Sequence, residues 1–477
     1  MVGSCGNKIL VTMRNEAVAS VIGTVPAYCL KGLLSEDCLT LFLRSSLQMK
    51  TYEWEWNAVK THDMWNSNQN DKISPALRVS YERLPSNLKV CLAYCSIFPK
   101  NYVIEIDTVG VAEGLISPFD ESEDIEHIGI EYFQELLSRS FFQDVEEYRS
   151  IFTSICKLHD LVHDLALSAA GVEFCTVNSH IQNISDEVRH VAFSDYDFSG
   201  KELPASLVSN RALRTIYFSV DGVGPMSTMF VENCIARYLD ISANGRIKEL
   251  PNSINKLLSL QTLRVSHCAQ LEGLPNDIGN LISLRHLYIT TKQACFPDKA
   301  IGCLSSLRSL YIYSCNNLVS LSEGSLRTLA IIGCPRLTFS PSSMKYHTAL
   351  ENLLVVDCVE LTLLEWQDIE GLRILRSLVI GVLPELESKD VQCLGNLQML
   401  VLAGLPELVT LPRWLEGASA TLQYLRVERC PNFAALPKWL ENLTSLEKLE
   451  ISKCRELFSL TEGMSCLTNL KVLRIDS

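Results

Sequence analysis

Ten segments of this chain repeat one spacing of apolar residues, L-x-x-L-x-L: SLQTLRV, SLRHLYI, SLRSLYI, SLRTLAI, ALENLLV, ILRSLVI, NLQMLVL, TLQYLRV, SLEKLEI and NLKVLRI. The leading apolar residues run from Leu260 through Leu284, Leu307, Leu326, Leu350, Leu375, Leu397, Leu422 and Leu446 to Leu470, at gaps of 24, 23, 19, 24, 25, 22, 25, 24 and 24 residues. Weaker copies precede them at Val188, Leu213 and Ala236. Within a copy, positions such as Leu263 and Val265 alternate with polar ones, the period of a short strand with one buried face. A single strand of this length cannot bury that face alone. Stacking the copies joins the strands into a parallel sheet over a continuous apolar core, and the intervening stretches return along the convex side.

Eight residues after the leading position stand Cys268, Cys315, Cys334, Cys358, Cys430 and Cys454, with Asn244 in a weak copy. An Asn/Cys position at that place, and a period of 20 to 29 residues, define the leucine-rich repeat. A ladder explains these cysteines without a metal or a disulfide framework, and the 18 cysteines of the chain are expected to be reduced, mostly buried thiols. Pro251 and Pro275 directly follow a Leu, where proline ends a strand and opens a turn. The expected fold is an α/β leucine-rich-repeat solenoid, a horseshoe with its parallel β-sheet on the concave face, over residues 171–477.

The first third reads differently. Leu84, Leu88, Cys91, Leu92 and Cys95 line one face of a helix that Pro99 ends, and a second helical stretch spans Ile125 to Leu137. Phe141–Val145 and Ile151–Leu158 read as a hairpin, followed by a helix over Leu161–Ala169. Helices followed by a hairpin suggest a winged-helix domain over residues 81–170. With Lys+Arg 42 against Asp+Glu 55 the formal charge is -13, which repels phosphate backbones and anionic lipid, so nucleic acid is not an expected partner. The start MVGSCGNKILVTMRNEAV has neither the apolar run of a secretory signal nor a membrane span, and a cytoplasmic location is the default expectation.

Three further strings carry a family resemblance: GNKILVTMRNEAVASVIGTVPAYCLKGLLSEDCLTLF, LPSNLKVCLAYCSIFPKNY and KLHDLVHDLA. Together with the repeats they resemble plant NB-LRR disease resistance proteins of the coiled-coil class. The resemblance implies that residues 1–47 are a remnant of the NB-ARC nucleotide-binding domain and 48–80 a helical linker region. It departs from the family in several places. The family's phosphate-binding loop and Walker B strand lie upstream of the matching segment, and its Gly-Leu-Pro-Leu segment is missing between Phe42 and Thr51. Gly3-Ser-Cys-Gly6-Asn-Lys8 lacks the G-x-x-x-x-G-K-[ST] spacing. The chain is therefore expected to be a truncated, internally shortened member.

The family's Met-His-Asp motif stands here as Leu158-His159-Asp160. The resemblance assigns His159 to the phosphates of bound ADP, Asp160 to the turn, and Arg14 to a sensor position near the γ-phosphate. Without a phosphate-binding loop, no ATP or ADP binding of useful affinity is expected, and the local alternative is that Asp160 simply caps the following helix. His159-x-x-x-His163 also echoes a zinc motif, but Asp replaces Glu and no third ligand is evident. No metal and no catalytic role are expected. The resemblance implies an intracellular immune-receptor fragment that recognises a pathogen effector or a guarded host protein; the alternative is a leucine-rich-repeat adaptor, or a regulatory or degenerate NB-LRR fragment. The expected surface is the concave face, where Arg285, His286, Tyr288, Arg308, Tyr311, Tyr313, Arg327 and Arg376 should form a solvent-facing basic and aromatic patch.

Overall fold

A computed structural model describes residues 75–105, 125–150, 153–177, 184–193, 205–218, 235–297, 300–321, 324–338, 347–360, 372–382, 394–457 and 462–476. Arg14, the expected nucleotide-binding remnant and most of the 48–80 linker region lie outside them.

The first body is helical. Helix α1 (Pro75–Glu82) is followed by α2 (Ser86–Cys95), the helix expected from Leu84 but starting two residues later. Pro85, with φ -53° and ψ 154°, stands in extended backbone as the N-cap of α2 and separates the two. Then come β1 (Ile104–Glu105), α3 (Ile125–Ser138), the hairpin β2 (Phe142–Ser150) and β3 (Thr153–Leu158), and α4 (Asp160–Ala169). The three strands form one sheet in the order β1-β3-β2. Leu88, Leu92, Phe98, Leu136, Phe141, Cys156 and Ala166 are all buried in a core shared by α2, α3, α4 and the wing. Burial pushes the Cys156 thiol up to about 12.

Among the described residues fourteen parallel strands follow, hydrogen-bonded strictly in chain order. They are β4 (Phe174–Val177), β5 (His190–Phe193), β6 (Thr215–Phe218), β7 (Tyr238–Asp240), β8 (Thr262–Val265), β9 (His286–Ile289), β10 (Ser309–Tyr313), β11 (Thr328–Ile332), β12 (Asn352–Val356), β13 (Ser377–Gly381), β14 (Met399–Ala403), β15 (Tyr424–Glu428), β16 (Lys448–Ser452) and β17 (Val472–Asp476). A short helix, α5 (Ala205–Ser209), precedes β6. The leading leucines of the strong copies, Leu470 apart, are buried, and together with the strand leucines and isoleucines they form one continuous core. Pro251, Pro275, Pro412 and Pro437 each open a 3-10 turn on the return stretch, which inserts Ile254, Ile278, Leu415 or Leu440 into that core.

Two devices make the stacking regular. Seven residues after the leading position the backbone turns left-handed: Ala243, His267, Ser314, Gly333, Asp357, Val382, Gly404, Arg429 and Lys453 all have φ between 51° and 65°. One residue later the ladder thiols point inward; Cys268, Cys315, Cys358, Cys430 and Cys454 each hydrogen-bond to a carbonyl of the repeat before, and Cys334 to Ile332 O of its own. Cys268 Sγ donates to Ile241 O at 3.3 Å, and Cys358, Cys430 and Cys454 donate to Ile331, Leu402 and Val427 at 3.9 Å. The six ladder thiols are buried, whereas Cys295, Cys303 and Cys466, which lie off the ladder, are exposed.

Candidate functional site

Across β5–β14 both faces of the sheet are largely buried. One face carries the leucine core. On the other, β9 presents His286 and Tyr288, and β10 presents Ser309, Tyr311 and Tyr313. These side chains were expected to face solvent, but Tyr288 is 1% exposed and Tyr311 7%, and His286 is buried. The two rings stack at 4.3 Å with an interplanar angle of 1°. They continue along the same register row into Ala330, Leu354, Val379 and Val401, forming a second apolar cluster. The reason is spacing: rungs roughly 4.8 Å apart bring large side chains on successive strands into van der Waals contact, so each ring covers its neighbour. Aromatic residues in one row of a parallel ladder therefore become core rather than surface.

The seam ends in charge on both sides. Toward the N-terminus, the Tyr238 hydroxyl donates to Asp240 Oδ2 at 3.2 Å, Arg264 Nε lies 3.5 Å from the same oxygen, and the Arg264 guanidinium covers the Tyr288 ring at 4.0 Å. Toward the C-terminus, Tyr424 donates to Glu450 Oε2 at 2.7 Å, with Lys448 at 3.4 Å and Arg474 at 3.3 Å from Glu450 Oε1. Burial raises the pKa of Tyr424, reinforced by the Glu450 carboxylate it bonds. His286 is driven the other way, down to about 3, first by burial and then by Arg285, Arg308 and Arg264 around it, so it is neutral.

The arginines occupy a different line. Arg285, Arg308, Arg327 and Arg376 stand one residue before their strands, at the N-terminal edge of the sheet, not on its concave face. The backbone N–H of each rung in that row donates to the carbonyl of the rung before: Arg308 to Arg285 at 2.8 Å, Arg327 to Arg308 at 2.8 Å, Glu351 to Arg327 and Arg376 to Glu351 at 2.8 Å. Followed toward the N-terminus, the same ladder passes through Gln261 to Arg237, Arg214 and Arg189. Seven of nine successive rungs from Arg189 to Arg376 are therefore arginine, in a chain of formal charge -13. Glu173 is 3.6 Å from Arg189, and Glu351 lies 4.0 Å from Arg327 and 3.8 Å from Arg376. Arg189, Arg214 and Arg237 were missed in the sequence reading. Their signal was present, since each directly follows the leading residue of a weak copy, Val188, Leu213 or Ala236.

The first body closes the N-terminal end of the concave face. Phe98 meets Tyr217 edge-on at 5.1 Å, Tyr102 meets Tyr217 at 5.7 Å, and Tyr94 meets His190 at 5.8 Å. Ala192, Tyr217 and Tyr238 of the first strands accordingly belong to the core of that body.

The Leu158-His159-Asp160 segment joins β3 to α4. His159 Nδ1, not Asp160, caps α4 by accepting from the Leu161 N–H at 3.2 Å, while Asp160 is the first helical residue. His163 Nε2 is held on the Phe98 carbonyl at 2.8 Å. His159 and His163 are thus committed to separate tasks, and among the described residues no group of three or more His, Cys, Asp or Glu could hold a metal ion. Among the described residues no helix is long and apolar enough to cross a membrane.

Comparison with known proteins agrees with this architecture. Residues 97–166 match the winged-helix domain of disease resistance proteins, and residues 187–329 match a leucine-rich repeat region. The chain is 28% identical over 286 residues to the putative disease resistance protein RGA1 of Solanum bulbocastanum, covering 52% of this chain and 29% of that one. It is 28% identical over 376 residues to the putative disease resistance protein RGA4 of the same species, covering 71% and 38%. To the putative disease resistance RPP13-like protein 1 of Arabidopsis thaliana it is 32% identical over 333 residues, covering 54% and 31%. In its winged-helix and repeat parts the chain is a relative of plant disease resistance proteins, and it spans about a third of the length of these relatives.

Proposed function

We propose that this chain, built from the winged-helix and repeat parts of plant disease resistance proteins, is the recognition part of an intracellular, cytoplasmic immune receptor. In this reading its repeats bind a pathogen effector or a guarded host protein without catalysing a reaction, and the chain as it stands holds neither ADP nor ATP. The observation that carries the proposal is the arginine row: seven guanidinium groups on nine successive rungs. An acidic protein face laid along the N-terminal edge of the sheet would meet this row, since arginine supplies directional, bidentate contacts to carboxylates.

Affinity capture from challenged plant tissue with mass spectrometry identifies candidates, and titration of a purified candidate decides among them. Arg308→Glu and Arg327→Glu should each weaken binding by more than about 1 kcal/mol, and raised salt should weaken the parent complex. The reading fails if both variants bind like the parent while Lys256→Glu on the return stretch abolishes binding. Isothermal calorimetry with ADP and magnesium tests the nucleotide part: micromolar affinity would contradict it.

A further inference from the structure

Beside the arginine row, two consecutive repeats break a pattern that the later ones keep. Leu257 and Leu281 turn into the core, and the residues after them, Leu258 and Ile282, are 54% and 56% exposed. The same turn holds both outward: the Leu258 N–H donates to Lys256 O at 2.9 Å and the Ile282 N–H to Asn280 O at 2.8 Å. From Ser305 onward, every later copy carries a small, polar or charged residue at this place, two before the leading leucine. Leu258 and Ile282 line a groove of about 510 Å³ between their repeats, together with Asn255, Lys256, Gly279 and Asn280.

The groove adjoins the start of an uninterrupted basic run. Ile282 stands three residues before Arg285, and the Leu284 N–H bonds Leu281 O at 2.9 Å, so a single turn separates the groove from the edge of the sheet. From there Arg285, Arg308 and Arg327 occupy consecutive rungs, the first two half-buried and the third exposed, and Glu351 and Arg376 follow. An apolar hollow thus leads into a fixed order of charges: plus, plus, plus, minus, plus. Spacing selects what can follow that order. Rungs stand roughly 4.8 Å apart, whereas same-side residues of an extended peptide stand roughly 6.7 Å apart and slip out of step within two rungs. One face of a helix keeps step: residues i+3 and i+7 lie roughly 4.5 and 10.5 Å beyond residue i, against roughly 4.8 and 9.6 Å for the next two rungs.

We propose that this edge docks an acidic amphipathic helix of the partner, an inference that rests on the acidic-partner reading above. An apolar residue about one turn before the first acid fills the groove between Leu258 and Ile282. Asp or Glu at i, i+3 and i+7 meet Arg285, Arg308 and Arg327, a Lys at i+10 meets Glu351, and an acid at i+14 meets Arg376. Each guanidinium offers a carboxylate a planar pair of N–H donors. Exposed ion pairs contribute little by themselves, and the groove adds apolar burial that salt does not screen. Glu351 sets the register. A helix displaced by one rung would lay an acid against Glu351 and its Lys against Arg376, so the wrong alignment is penalised as well as the right one favoured.

The test uses the intact chain and a labelled synthetic peptide with this pattern, made in both sequence orders and read by fluorescence anisotropy. A second peptide keeps the composition with its acids scrambled, and a third has a central proline that breaks the helix. The patterned peptide, in one of its two orders, should bind at least about tenfold tighter than either control. Arg308→Glu should weaken it at least about tenfold, and a peptide with Lys in place of the facing acid should restore binding to that variant. Restoration shows that the variant is folded. Ile282→Ser, at an exposed position, should weaken binding severalfold at low and at high salt alike. Equal binding of all the peptides, binding of none, or indifference to Arg308→Glu or to Ile282→Ser overturns the inference. The broader reading has its own readout: a captured partner protein that loses affinity for the Arg308→Glu chain sustains it even when no helical peptide is preferred.

Discussion

At the scale of single residues, the row holding Tyr288 and Tyr311 decides what a mutation reports. Both rings lie in a closed seam, so truncating one removes core packing instead of a surface contact. Tyr288→Ala should destabilise the fold by roughly 3–5 kcal/mol, the usual cost of deleting a buried ring, while Tyr288→Phe should cost far less; denaturant unfolding of the two variants measures the difference. His286 makes a pH prediction. Its folded-state value near 3 lies below the ordinary 6.5, with burial as the leading cause. Between those values the unfolded chain binds a proton that the folded chain does not, so this contribution is fully present above about pH 6.5 and is lost as pH falls toward 3. Stability against urea should decline across that window by up to about 1.4 kcal/mol per pH unit. His286→Gln should remove this part of the slope, and an unchanged slope would show that His286 is not held neutral.

At the scale of one repeat, the left-handed residue that ends each strand is the constraint most open to test. Gly333 and Gly404 satisfy it without cost, but Val382 adopts φ 52° with a β-branched side chain that is 47% exposed. Such a residue in the left-handed region costs about 1–2 kcal/mol. Val382→Gly should therefore raise stability by about 1 kcal/mol, even after the added freedom of glycine in the unfolded chain is counted, and a fall in the melting midpoint would refute the strain. Gly404 is a poorer place for the reverse change. A Cβ there would lie 3.2 Å from Val382 Cγ2 in a left-handed backbone, so Gly404→Ala should destabilise.

At the scale of the whole molecule, the winged helix and the first repeats share one core. Phe98, Tyr102, Tyr217 and Tyr238 join α2 and the segment after it to β6 and β7. The first body therefore acts as a cap on the concave face, a role that terminal repeats play in other solenoids. Phe98→Ala should speed hydrogen exchange in β5–β7 as well as in α2, while leaving β12–β16 unchanged. Faster exchange confined to α2 would show that the two bodies are energetically separate.

The spacing of leucines, cysteines and prolines by itself determined the solenoid, its strand positions and its ladder, because each copy repeats the same local solution and neighbours are fixed by chain order. The hairpin and the last helix of the first body were equally legible in apolar periodicity, while the later start of α2 follows from the extended backbone of Pro85. Tertiary structure alone decided which side chains are surface. The alternation of a strand says which face a residue takes but not what covers that face, so Tyr288 and Tyr311 moved from an expected binding patch into a second core. It also decided the extent of the arginine row, since the weak copies at Val188, Leu213 and Ala236 gain their meaning only when their backbones are hydrogen-bonded into the same ladder as Arg285. Contact between the first body and β5–β7 lay beyond the sequence for the same reason: it joins residues more than ninety positions apart whose local patterns carry no record of each other.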